Sequence, residues 1–119
     1  MAERRERGQL EREVLAQLWS VNDAQTPAEV REALGGELAY STVLTILVRL
    51  HHKALAEREK RGRAFAYRPA VAEAELTATT MLRSLLHSGD HGAALSRFVG
   101  VLPPSDLEAL RRALRRARR

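Results

Sequence analysis

The chain is short, basic and free of cysteine. Its 119 residues suffice for one domain with an added helical element, and its net charge of +5 and pI of about 10.6 favour an anionic partner, nucleic acid before an acidic membrane. The lack of cysteine excludes disulfides, thiolate metal sites and thiol redox sensing. A charged N-terminus and the lack of any long apolar run predict no signal peptide, no membrane insertion and a cytoplasmic location.

The first two predicted elements are short helices. Residues 9–20 are predicted to be helical because apolar side chains recur on one face, and a polar break follows at residues 21–23. Thr26 predicts the start of a second helix, since a proline at the first helical position and Glu29 at the third complete a capping box. Gly35 and the glycine after it predict its end.

The third predicted helix, over residues 40–53, has two different faces. One face is an apolar stripe that predicts packing on a core; it consists of Val43, Ile46, Leu47 and Leu50. The opposite face has hydroxyls, aliphatic groups and a guanidinium but no carboxylate; it consists of Ser41, Thr42, Leu44, Thr45, Val48, Arg49 and His52. Such a surface suits base edges in a DNA major groove, although an ordinary solvated face gives the same pattern.

A small basic β-hairpin is predicted next. Residues 56–60 and 64–68 are predicted to be strands around Gly62. Phe65 and Tyr67 alternate with alanines, so we expect one aromatic strand face to pack inward. The cations suited to phosphates are Arg58, Lys60, Arg61, Arg63 and Arg68. The predicted fold class is therefore mainly α: a winged helix-turn-helix of three helices and a hairpin wing, with further helices after it.

The C-terminal part predicts three more helices with more apolar surface than they can hide from one another. Residues 72–87 and 92–101 form two, and Ser105 or Asp106 is predicted to cap the third. We expect residues 1–70 to form a DNA-binding domain and residues 71–119 a dimerisation domain, with folding back as a monomer the alternative. The predicted dimer contacts are Leu82, Leu85, Leu95, Phe98, Leu107, Leu110 and Leu114.

Four segments carry a resemblance to a known family. L-x-R-E-V-L-x-x-L-W at 10–19, T-P-A-E-V at 26–30, Y-S-T-V-L-T-I-L-V-R-L at 40–50 and F-x-Y at 65–67 resemble the penicillinase-repressor family. The resemblance implies a dimeric winged-helix repressor of a palindromic operator, controlling a β-lactam-responsive operon and its own gene. It also implies a membrane-bound sensor protease that triggers cleavage between an asparagine and a phenylalanine, where this chain has Arg97 and Phe98. The copper-responsive branch carries C-terminal cysteines, which this chain lacks.

The resemblance makes the third helix the recognition helix. With the wing tip, the predicted DNA contacts are Thr26, Ser41, Thr42, Leu44, Thr45, Arg49, Arg61 and Arg63. We expect Arg61 and Arg63 to contact the DNA backbone, and Arg49 to contact DNA unless it pairs with Glu57 instead.

Other functions have weaker support in the sequence. His87, Asp90 and His91 offer at most a partial zinc site, and polar residues at a helix end are the favoured interpretation, so we expect no metal or cofactor. The sequence has no glycine-rich phosphate loop and no nucleophile beside a base, so we do not expect an enzyme. The alternative to a repressor is a winged-helix protein-interaction module without DNA binding, and the acid-free face of the third helix argues against it.

Overall fold

The computed structural model describes residues 7–118, which form six helices and one two-stranded antiparallel hairpin. In chain order these are α1 (Arg7–Trp19), α2 (Pro27–Ala33), α3 (Tyr40–His52), β1 (Ala56–Arg61), β2 (Ala64–Pro69), α4 (Glu73–Leu86), α5 (His91–Val101) and α6 (Pro104–Ala117). The predicted mainly α winged helix-turn-helix is confirmed. Two compact units divide the chain, Met1–Leu76 and Thr77–Arg119, so the first runs slightly past the predicted boundary at residue 70.

The first unit is built around one apolar core. Helices α1 and α3 contribute most of it, and the base of the hairpin closes it. Its fully or almost fully buried members include Val14, Leu15, Leu18, Val30, Val43, Ile46, Leu47, Leu50, Ala56 and Tyr67. No polar or charged residue among those described is fully buried, and the single ring nitrogen of His51, Nδ1, is the buried side-chain polar atom left without a hydrogen-bond partner there. The predicted apolar stripe of α3 is confirmed as its buried face.

Helix α2 begins and ends as its sequence predicts. The backbone N–H of Thr26 donates to Glu29 Oε1 at 2.8 Å, and the Glu29 N–H donates to Thr26 Oγ1 at 3.2 Å, which confirms the capping box. At the other end, Gly35 has φ +96°, and the N–H of Gly36 donates to Arg31 O at 3.0 Å. This Schellman ending turns the chain sharply towards α3.

Helix α3 ends in the same motif with a less suitable residue. The Leu55 N–H donates to Leu50 O at 2.9 Å and the Ala54 N–H donates to His51 O at 3.0 Å. Ala54 therefore takes the left-handed position, with φ +62°, that usually belongs to glycine. A Cβ atom there costs about 1–2 kcal/mol, which the packing of Leu50 in the core offsets.

The wing is anchored at its base and open at its tip. Gln25 and Tyr67 exchange two backbone hydrogen bonds of 2.8 and 2.7 Å, which join β2 to the loop before α2. Tyr67 is buried, but Phe65 keeps 37% of its surface exposed, so the predicted inward packing of both aromatics is wrong for Phe65. The reason is length: the hairpin extends beyond the core, so only its base reaches buried neighbours. A positive φ at Gly62 alone in the two-residue turn fits type II′.

The second unit has no buried core of its own. Helices α4, α5 and α6 contain no buried residue. Asp90 caps α5 by accepting the Ala93 N–H at 3.1 Å. Helix α6 begins at Pro104 with Pro103 as its cap, so the predicted cap at Ser105 or Asp106 is wrong; the fixed φ of Pro104 suits the first helical position without a side-chain cap. Among residues 7–118, no helix is long and apolar enough to cross a membrane.

Candidate nucleic-acid interface

The outer face of α3 has the composition and exposure of a groove-reading surface. Ser41 and Thr45 are exposed, while Thr42, Leu44 and Arg49 are half-buried. Helix α3 contains no acidic residue, so nothing on this face repels a polyanion. Arg49 forms no ion pair with Glu57 within the described part of the chain, so the alternative role predicted for it is not observed.

The start of α3 offers backbone donors as well. Its cap is Ala39, which makes no side-chain hydrogen bond to the first turn. The N–H of Thr42 already donates to Ala39 O at 3.0 Å, so the backbone donors that favour contact with a phosphate are those of Tyr40 and Ser41. The guanidinium of Arg31 donates to Leu38 O at 2.6 Å and so ties α2 to the segment that enters α3. This contact fixes the position of the helix start.

Thr26 has a structural task in the cap of α2. Its backbone and side chain both hydrogen-bond Glu29, and these bonds hold the pKa of Glu29 below its ordinary value of 4.5. The nearby charge of Arg61 lowers that pKa further, by a smaller amount. Any contact of Thr26 with DNA therefore has to share a hydroxyl that the cap already uses.

Arg61 links the wing to α2. Its Nη1 lies 3.3 Å from Glu29 Oε1, and its Nη2 donates to Ala24 O at 3.0 Å. The sequence predicted a contact of Arg61 with the DNA backbone but not this one, since residues 32 positions apart form no local pattern. The guanidinium keeps about half of its surface exposed, so it can still meet a phosphate while it holds the wing.

The other wing cations differ in their availability. Arg68 pairs with Glu59 across the hairpin, and the Arg58 guanidinium lies 4.1 Å from the centre of the Phe65 ring. Lys60 and Arg63 are exposed and have no ion-pair partner within residues 7–118. These two are the wing charges freest to neutralise phosphates.

Two of the three candidate zinc ligands, His87 and Asp90, serve local structure. His87 Nδ1 lies 2.7 Å from Arg83 O, and Asp90 is occupied as the cap of α5. Among the described residues, no group of three or more His, Asp or Glu side chains could hold a metal ion.

The second unit contains an open apolar groove between α4 and α5. Its volume is about 410 Å³, and its lining includes Met81, Leu82, Leu85, Leu95 and Phe98. Four of the predicted dimer contacts therefore lie together there. On α6, Leu107 and Leu110 are half-buried and Leu114 is 55% exposed.

Similarity to known proteins agrees with this architecture. Residues 7–116 match the model of a family described as penicillinase repressor. The transcriptional regulator BlaI of two Mycobacterium tuberculosis strains is 42% identical over 112 residues, which cover 90% of this chain and 81% of that protein.

Solved structures resemble the chain more distantly. MepR, a regulator of the Staphylococcus aureus efflux pump MepA, has a TM-score of 0.46 at 17% identity, covering 90% of this chain and 74% of its own. PcaV from Streptomyces coelicolor has a TM-score of 0.47 at 19% identity, covering 91% and 72%. The family description and the names of its sequence relatives are those of transcriptional regulators and not of enzymes. The chain belongs to the penicillinase repressor family.

Proposed function

We propose that the protein is a homodimeric repressor that binds a palindromic DNA operator through α3 and the wing. The observation that carries this proposal is the outer face of α3, which exposes hydroxyls and aliphatic groups without a carboxylate and ends beside a wing with free cations. Membership of a repressor family supports the same conclusion. A regulator that meets chromosomal DNA acts in the cytoplasm.

Within this proposal each exposed group of α3 has a chemical task. The hydroxyls of Ser41, Thr42 and Thr45 donate to or accept from base edges and phosphates. Leu44 contacts thymine methyl groups, and Arg49 reaches a guanine or a phosphate. The sequence specificity of the protein therefore depends on α3, whereas the wing supplies affinity that is independent of sequence.

The second unit joins two chains in this proposal. A unit whose described residues bury no side chain lacks the apolar burial that stabilises a fold, and an identical unit is the commonest partner. The groove lined by Leu82, Leu85, Leu95 and Phe98 is then covered by a second copy, with the leucines of α6 beside it. Two α3 helices related by a twofold axis match a palindrome.

A gel-shift experiment on the DNA upstream of the protein's own gene tests the proposal. Thr45→Glu places a carboxylate against the negative potential of the groove, so it should abolish operator-specific binding without unfolding the protein. Thr77→Glu, a change at an exposed threonine in α4, is the matched control and should bind normally. Normal operator affinity of a folded Thr45→Glu variant, or no DNA binding by the wild type, would favour the protein-interaction module instead.

Regulation by a β-lactam-responsive sensor protease is part of the same proposal. The bond between Arg97 and Phe98 lies inside α5, and a protease needs that segment locally unfolded. Cleavage there separates Phe98 and α6 from Leu82, Leu85 and Leu95, and so loosens the dimer. Intact-mass measurement of the repressor from cells treated with a β-lactam tests it: a fragment ending at Arg97 is expected, and derepression with full-length protein alone would contradict it.

A further inference from the structure

The positive charge of the chain is concentrated in its second unit. Residues 1–76, which contain α3 and the wing, carry twelve basic and twelve acidic side chains. Residues 77–119 carry eight arginines and only three carboxylates. The whole net charge of +5 therefore belongs to the part of the chain that the proposed function assigns to dimerisation.

Helix α6 and its end contain most of this excess. The arginine cluster of α6 consists of Arg111, Arg112, Arg115, Arg116, Arg118 and Arg119, the last of which lies outside the described residues. Of the two carboxylates in α6, Asp106 lies in the first turn, and Glu108 lies 3.6 Å from Arg111, 4.0 Å from Arg112 and 3.8 Å from Arg115. One carboxylate shared by three guanidiniums leaves the surface strongly positive.

The helix dipole does not account for so many arginines. Favourable interaction with the negative end of a helix is confined to its last turn, whereas Arg111 and Arg112 lie in the middle of α6. Adjacent guanidiniums also repel one another in the free protein. The side chains of Arg111, Arg112 and Arg115 are 52–65% exposed, so they are open to an external anion.

We propose that the arginine cluster of α6 is a second, sequence-independent nucleic-acid contact that binds DNA phosphates. Guanidinium groups pair with phosphate oxygens in a fixed, two-pronged geometry, and a duplex offers a dense row of them. This inference rests on the proposed function, because it assumes that α3 brings the protein to DNA. The cluster then raises affinity for any duplex, beside the operator or on a neighbouring segment.

A nucleic acid fits the cluster better than a lipid surface. A helix that lies on a membrane inserts its apolar face among the lipids. In α6, Leu107 and Leu110 are already half-buried within their unit, which leaves Leu114 as the exposed leucine of the helix. The exposed face of α6 is therefore mainly charged. A polyanion can bind such a face without inserting apolar side chains, as a membrane would require.

The salt dependence of DNA binding by the full-length protein tests the proposal. One variant changes Arg111, Arg112, Arg115 and Arg116 to glutamine, which keeps helix propensity and removes charge. The matched control changes the same residues to lysine and keeps the charge. Anisotropy is measured over a salt series with an operator duplex and with a duplex of unrelated sequence, and sedimentation verifies that each variant remains folded and dimeric.

The glutamine variant should bind both duplexes more weakly. The slope of log affinity against log salt should fall by about 0.9 for each phosphate that the variant no longer neutralises, while the preference for the operator is unchanged. The lysine variant should keep the wild-type slope. The cluster can contact DNA that flanks the operator or a second duplex. If it contacts flanking DNA, a longer operator duplex should strengthen binding by the wild type more than by the glutamine variant. If it contacts a second duplex, the wild-type protein should bridge two duplexes in a pull-down.

A second variant tests the inference even if the glutamine variant no longer forms a dimer. Glu108→Gln frees three guanidiniums and should strengthen binding to the unrelated duplex. An unchanged affinity in Glu108→Gln, or an unchanged slope in a dimeric glutamine variant, would overturn the inference. The inference would also be overturned if the glutamine variant lost binding to phosphatidylglycerol vesicles but bound DNA as the wild type does. If the wild type shows no preference for any operator, the proposed function itself fails, and that outcome is separate from these.

Discussion

The two compact units differ in how much apolar surface they bury and in their charge. The first unit buries its apolar side chains around Leu47 and Tyr67 and balances its acidic and basic residues. In the described part of the second unit no apolar side chain is buried, and this unit holds the chain's excess of arginine. A unit with a core can fold as one chain, whereas a unit without one needs a partner to remove its apolar surface from water. We therefore expect the first unit to determine the stability of the fold and the second unit to determine assembly.

Removal of the second unit should have the largest effect on DNA binding. A fragment of residues 1–76 should fold, because its core is complete, but it should be monomeric in sedimentation. Its affinity for a full operator should fall by about 10²–10⁴, since the two half-sites no longer benefit from linkage. Full-length protein that sediments as a monomer, or a fragment that fails to fold, would contradict this division between the two units.

Matched leucine substitutions in the two units should have different effects on unfolding and on dimer dissociation. Leu47→Ala empties a fully buried position and should lower the free energy of unfolding by about 2–5 kcal/mol at every protein concentration. Leu82→Ala acts at a side chain that is 54% exposed in the single chain, so its effect should appear in dimer dissociation. Thermal unfolding at several concentrations separates the two, and equal behaviour of both variants would contradict the division.

The contact between the wing and α2 predicts a pH effect within the first unit. The pKa of Glu29 is lowered chiefly by its hydrogen bonds with Thr26, so the stability it contributes is present above pH 4.5 and is lost as pH falls through its lower folded pKa. Protonation also removes the charge that Arg61 faces, so the protection factors of wild-type wing amides, taken relative to the unfolded chain, should fall only below about pH 4.5.

Glu29→Gln keeps the capping hydrogen bonds but removes the charge that Arg61 faces. Its wing should be looser already at neutral pH and insensitive to acid. Hydrogen exchange measured by NMR provides the comparison, and a wing unaffected by this change would show that Arg61 does not hold it.

The smallest predicted effect concerns the end of α3. Ala54→Gly relieves the left-handed strain at φ +62° but adds flexibility to the unfolded chain. The net result should be a gain of about 0.5–1 kcal/mol in unfolding free energy. Chemical denaturation should show a higher midpoint with an unchanged slope. Ala28→Gly, on exposed helical backbone in α2, is the control and should be destabilised.

Local patterns predicted most of the first unit. The capping box at Thr26 and the apolar stripe of α3 depend on residues close in sequence, so their geometry follows from spacing alone. The exposure of Phe65 did not follow, because strand alternation says which face a side chain takes but not how far the core extends. The contact of Arg61 with Glu29 joins distant residues, and only the folded chain brings them together.

The interface residues divide in the same way. The acid-free face of α3 could be predicted from the sequence because helical periodicity places Ser41, Thr45 and Arg49 on one side. The sequence did not show which wing cations are already engaged in contacts, since Arg61 and Arg63 are both arginines and differ only in their neighbours in the fold. Charge counted over the whole chain likewise concealed that the net excess belongs to residues 77–119.

The indole of Trp19 gives the molecule a built-in optical probe. Trp19 is the sole tryptophan of the chain, and its Nε1 donates to Val71 O at 2.9 Å, where the backbone leaves the wing and approaches α4. Indole emission shifts to longer wavelength when water replaces a protein acceptor. Unlabelled protein therefore reports, by its own fluorescence, whether the segment entering α4 stays attached to α1 when DNA binds or when α5 is cut.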